Sequence, residues 1–127
     1  MNTSEAGSLA GAVGSRAALA LAQNPTTIPG DGAIPIDIDG TYLLTKGSAA
    51  AITVAAPGAA NIGRKLVIMG GSDFAHVVTF TGSTLRDGTT GGSAAWTSAA
   101  FQGSSLTCQA VSAVLWNVIA NNLGVIA

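Results

Sequence analysis

The chain has 127 residues and a mass of 12.4 kDa, the size of a single domain. Only 9% of its residues are charged, 48% are apolar, the net charge is −1 and the mean hydropathy is +0.50. An ordinary soluble domain carries roughly 25% charge, so much of this surface must be uncharged Ser, Thr, Gly, Asn and Ala or lie against partners. With no cluster of Lys and Arg the chain lacks the electrostatic footprint of a nucleic-acid binder. Nor is any stretch of about 20 residues apolar enough for a membrane span, and the lone Cys108 cannot form an intrachain disulfide.

In chain order, Ala6 to Ala22 is an apolar, Ala-rich leader. A secretory signal opens with positive charge, whereas this segment opens after Glu5 and holds Arg16 inside it. It reads instead as an arm, extended or partly helical, with Ser15 available as an N-cap. From Asn24 to Gly40, Pro25, Pro29 and Pro35 forbid a continuous helix. Ile34, Ile36 and Ile38 alternate with Pro35, Asp37 and Asp39, which predicts a strand with isoleucines on one face and carboxylates on the other. The division expected is an arm and linker over residues 1–30 and a β domain over residues 31–127.

Six short extended runs follow: Thr41–Lys46, Ala50–Ala56, Arg64–Met69, His76–Phe80, Ser105–Val111 and Val114–Ala120. Pro57-Gly58, Gly70-Gly71, Asp87-Gly88 and Gly91-Gly92 punctuate them with turn chemistry. This pattern predicts an all-β fold, a small antiparallel β-sandwich or barrel-like domain. Leu106, Cys108 and Ala110 share one face of their run, opposite Ser105, Thr107 and Gln109. Leu66 to Met69 are all apolar, as in a strand covered on both faces. No repeat of fixed length is evident. The last 40 residues, Gly88 to Ala127, hold no Asp, Glu, Lys, Arg or His. Strand edges are normally guarded by charge, proline or a bulge, so this end is expected to be capped within the fold or satisfied by identical neighbours in a closed oligomer.

No catalytic set can be assembled, and the expectation is that the chain is not an enzyme, with no catalytic, cofactor or metal residue to assign. Phosphate-binding glycine fingerprints are absent. Cys108 sits in an apolar alternation and reads as a core thiol. His76 is the only histidine; a hydrogen-bonded strand-end role is weighed against a zinc site shared by three copies around an axis. Asp37 and Asp39 read as a solvated strand face, with an intersubunit cation site as the alternative. Trp116 is expected in the core, Trp96 in a loop or interface, and a sugar platform of Trp96 and Phe101 is the competing use. Arg64 and Lys65, the sole adjacent basic pair, bracket the start of a strand.

The stretches ITVAAPGAANIGRKLVIMGG, HVVTFTG and SSLTCQAVSAVLWNVIANNLG resemble small β-rich modules of tailed-bacteriophage virions, among them capsid decoration (cement) proteins and trimeric fibre or spike modules. In such modules an apolar strand leads through a small-residue loop to a glycine before a hydrophobic strand, and a late strand carries one Trp shortly before a closing Gly. Ile52 to Val54, Gly63, Leu66 to Ile68, Trp116 and Gly124 occupy those places. The resemblance implies a homotrimer on the capsid surface, bound to the major capsid protein and stabilising the shell, without nucleic acid, membrane or cofactor. A receptor-binding or structural module of a tail fibre or spike is the alternative it leaves open.

Overall fold

The computed structural model describes residues 24–88 and 90–127, with backbone only at 90–92. The leader, and with it the arm expected there, lies outside the described residues. The fold is all-β: two sheets packed face to face. The seven-stranded sheet holds, in spatial order, β1 (Thr26–Ile28), β3 (Gly40–Leu44), β5 (Lys65–Gly70), β10 (Ser105–Ser112), β11 (Leu115–Asn122), β7 (Thr84–Asp87) and β8 (Thr90–Ser93). The five-stranded sheet runs β12 (Val125–Ile126), β9 (Ala95–Thr97), β6 (Val77–Thr81), β4 (Ala51–Ala55) and β2 (Gly32–Ala33). All six expected runs are strands.

The sheets are mixed rather than antiparallel. From β1 to β6 the chain places successive strands in alternate sheets, so β1, β3 and β5 stack in parallel on one side and β2, β4 and β6 on the other. The segments between these strands cross from sheet to sheet instead of folding back as hairpins, which turn residues alone do not distinguish. The last turn of the winding keeps one offset in both sheets: Gly40 pairs with Leu66 and Ala51 with Val77, 26 residues apart in each, whereas Thr26 pairs with Tyr42 and Gly32 with Ile52 at shorter offsets. The common offset escapes notice in the sequence because the equivalent residues match in burial, not in identity: Tyr42 with Ile68, Ile52 with Val78, Val54 with Phe80.

Beyond β6 the winding gives way to mostly antiparallel pairs, with β7 joining β11 in parallel. β7 and β8 form a hairpin around Gly88, whose φ of 56° places it in the left-handed region that a side chain disfavours. β10 pairs antiparallel with both β5 and β11, and β12 returns antiparallel to β9. Gly70 and Gly91-Gly92 are strand residues rather than breaks.

Alternation along the strands supplies the core. β4 and β6 both read exposed–buried–exposed–buried–exposed, sending Ile52, Val54, Val78 and Phe80 inward. They meet Leu44, Leu66, Ile68, Leu85, Leu106 and Trp116 from the opposite sheet, all essentially inaccessible. Ala110 and Cys108 fill the narrower places. Residues 34 to 39 are not the predicted strand: Ile34 is buried and Ile36 packs on the core, but Ile38 is 59% exposed because the segment bends over the sandwich end. Thr26–Ile28, on the leader side of residue 31, belong to the seven-stranded sheet.

Candidate functional site

Most groups capable of chemistry are committed to holding the fold. His76 is wholly buried just before β6. Its Nδ1 accepts the Ala50 backbone N–H at 3.0 Å, so that nitrogen carries no proton. Ser72 Oγ donates to the Lys46 carbonyl at 2.7 Å and lies 2.8 Å from His76 Nε2, which therefore donates to it. The backbone of His76 is tied to Ser98 in both directions: its N–H donates to Ser98 Oγ at 2.8 Å, and its carbonyl accepts the Ser98 N–H at 2.9 Å. The neutral ring joins the segment before β4 to the one before β6, and the residue's backbone ties in Ser98. Burial, and then the charge of Lys46, hold the ring's pKa below the ordinary value. A zinc site shared among copies would need a ring nitrogen at the surface, and neither is there.

Cys108 is buried on β10, and burial pushes its thiol up to about 12, far from the range of a reactive thiolate. Asp39 accepts the Lys65 backbone N–H at 3.0 Å and pairs with Arg64 at 3.5 Å, which locks the start of β5. Asp31 does the same for β4: its Oδ1 accepts from the Ala51 N–H and from Lys46 Nζ, both at 2.9 Å. These bonds, the Ala51 N–H first, hold its carboxyl below the usual range. Asp37 and Asp39 do not form one strand face. Among the described residues, no three His, Cys, Asp or Glu side chains come together.

Trp116 is the expected core residue; its Nε1 donates to the Ala55 carbonyl at 3.1 Å, joining β11 to the opposite sheet, and its ring meets Phe80 at 6.2 Å. Trp96 is a correction. It is as deeply buried as Trp116, with Nε1 donating to Asn121 Oδ1 at 2.8 Å, because its parity on β9 places it inward beside Val78. Phe101 is exposed, so the two do not make a stacking platform. A cleft of about 390 Å³ opens between Leu43, Met69 and the Gln102–Ser105 turn, and no titratable side chain lines it.

What remains is a surface. The outer face of the five-stranded sheet is set by register: one row is Ala51, Val77, Thr97 and Val125, the next Thr53, Thr79 and Ala95, the last Ala55 and Thr81. No charged side chain belongs to it. The opposite sheet carries Lys65 and Arg86 outward, and the remaining described charges sit in loops at the sandwich ends or at the end of β7. The alternation in Ala51–Ala55 and Val77–Thr81 signalled which residues face in. The neutrality of the outward set emerges only when the register brings four strands together. No family model, curated protein or solved structure matches the chain.

Proposed function

We propose that this chain is a structural protein of a tailed-phage virion, a capsid decoration protein that binds the outer surface of the shell as a homotrimer and stabilises it. The observation that carries the reading is the placement of the three stretches that resemble virion modules. They supply much of the core: β4 through β5, β6, and β10 through β11 to Gly124. A broad neutral sheet face, on a chain whose histidine, cysteine and buried tryptophans are all occupied structurally, supports assembly over chemistry.

In this reading the β-sandwich is the projecting body and the segment before Asn24 attaches it to the major capsid protein. Three attachment segments on one trimer act together, since docking of the first raises the effective concentration of the others. The test is co-sedimentation of full-length protein with undecorated capsids of the parent phage, beside a chain beginning at Asn24 that keeps every described strand. The expected result is saturable binding by the full chain and its loss in the shortened one. Equal binding by both would move attachment to the sandwich, and no binding by either would reject the decoration role and favour the fibre or spike module.

A further inference from the structure

Two consecutive backbone N–H groups at the start of β4 are received by side chains that take up protons. The Ala50 N–H donates to His76 Nδ1 at 3.0 Å and the Ala51 N–H to Asp31 Oδ1 at 2.9 Å. The segment leading into them, Lys46 to Ala49, has little else to hold it. Gly47, Ser48 and Ala49 are exposed, and among the described residues no backbone–backbone bond involves them. The Lys46 carbonyl accepts from Ser72 Oγ, which is also the partner of His76 Nε2. Both ends of the segment are therefore fastened through one imidazole, directly at Ala50 and through Ser72 at Lys46.

The bonds on either side contain no group that titrates near neutrality. Before the segment, the Thr45 N–H donates to the Ile28 carbonyl at 3.0 Å, and the Leu44 carbonyl accepts the Gly71 N–H at 2.8 Å. After it, the peptide unit joining Ala50 to Ala51 is gripped twice, its carbonyl by the Val77 N–H at 2.9 Å and its N–H by Asp31. The Ala51 N–H, and then Lys46, hold that carboxyl below the usual range, so it stays ionised in mild acid. A proton on His76 Nδ1 would face the Ala50 N–H, donor against donor, with ring and amide both buried. Among the described residues no carboxylate bonds the ring. Of the charged groups on the adjoining segments, the Lys46 ammonium is itself cationic and lies on Asp31 at 2.9 Å, Asp73 Oδ1 accepts the Gln102 N–H at 3.2 Å, and residues 98–104 carry no charge. Outward movement of the weakly held stretch relieves the conflict at far less cost than loss of the sheets.

We propose that His76 is an acid-sensitive latch: when its imidazole is protonated, residues 46–50 swing outward, hinged at Thr45 and at the peptide joining Ala50 to Ala51, while both sheets stay closed. The ion pair of Lys46 with Asp31 survives the step and keeps the excursion short. Deprotonation restores both fastenings, so the release is reversible. The device is local and does not depend on what the chain assembles into.

Hydrogen exchange of the full-length chain followed by NMR, corrected for intrinsic rates, tests this in the wild type and in His76→Asn, whose amide oxygen can receive the Ala50 N–H but takes up no proton. Opening returns the ring to its unfolded pKa of about 6.5. Protection of the wild-type Ala50 amide is therefore expected to fall by up to about tenfold between pH 7 and pH 5.5, by a route insensitive to urea below the unfolding transition. The amides of β5 and β10 should keep higher protection and the urea dependence of global unfolding. In His76→Asn, Ala50 protection should be the same at both pH values. The latch is overturned by wild-type Ala50 protection that does not change with pH, or by an equal fall in His76→Asn. It is overturned as well if Ala50 and β10 share one protection and one urea dependence at pH 5.5, since the whole fold would then be opening. If His76→Asn does not fold, the urea dependence in the wild type decides alone.

Discussion

Ala50 and His76 stand at equivalent points of successive turns, 26 residues apart, and the backbone N–H of the first is received by the imidazole Nδ1 of the second at 3.0 Å. A ring that accepts there cannot take a proton at Nδ1 without setting two N–H groups against each other. Protonation must therefore break the link. The folded pKa lies below the unfolded value of about 6.5, so the folded state binds fewer protons. The stability associated with His76 is fully present above about pH 6.5 and declines as pH falls through the window below it. Asp31 is held below the ordinary carboxyl range and acts only at lower pH. Urea midpoints measured from pH 8 to 5 should fall with pH in the wild type and stay flatter in His76→Gln. Parallel curves would reject the neutral link.

Trp116 ties the sheets together twice, by its buried ring and by its bond to the Ala55 carbonyl. Trp116→Ala is expected to lower the unfolding free energy by about 3 to 5 kcal/mol, as large aromatic truncations in cores do. A loss below about 1 kcal/mol, read from denaturant titration, would place the indole outside the cooperative core.

Gly124 lies against the indole of Trp96, so closely that a Cβ there would collide with Nε1. That nitrogen is fixed by Asn121, and the Asn121 side-chain amide donates to the Gly124 carbonyl at 2.9 Å, so the ring and the chain crossing it share one anchor. Gly124→Ala should cost about 1 to 3 kcal/mol through overpacking. It should also change the near-ultraviolet signal of Trp96. An unaltered melting curve and spectrum would show that the crossing chain can move aside.

Cys108 combines full burial with a thiol pushed up to about 12. An aromatic disulfide reagent at pH 8 should leave the native protein unlabelled and modify one thiol per chain after denaturation. Rapid stoichiometric labelling of native protein would show that β10 opens far more readily than its central position implies.

The strands were legible because alternation is a local signal. Leu106, Cys108 and Ala110 point inward as their spacing predicts, and Trp116 takes its place with them. Strand direction was not legible: the turn residues around Pro57 and Gly71 serve a crossing between sheets as well as a hairpin. Ile38 misled because its alternation with Asp37 and Asp39 belongs to a bend in which Asp39 clips the start of β5. Trp96 was misplaced because β9 has only three residues, too few to show a period. Leu123 carried no warning at all. Its left-handed backbone, with a φ of 67°, follows from how β11 must cross to β12, a requirement no neighbouring residue announces.

The shared 26-residue offset bears on how such a body could change length. A unit inserted between the two turns would add one strand to each sheet together, pair in parallel with what lies on either side, and leave the antiparallel β10 and β11 as the closing cap. Every inward position would retain its parity if the insert kept that period. Such an insert would lengthen the sandwich along one axis and leave its cap undisturbed, as a ladder gains a rung.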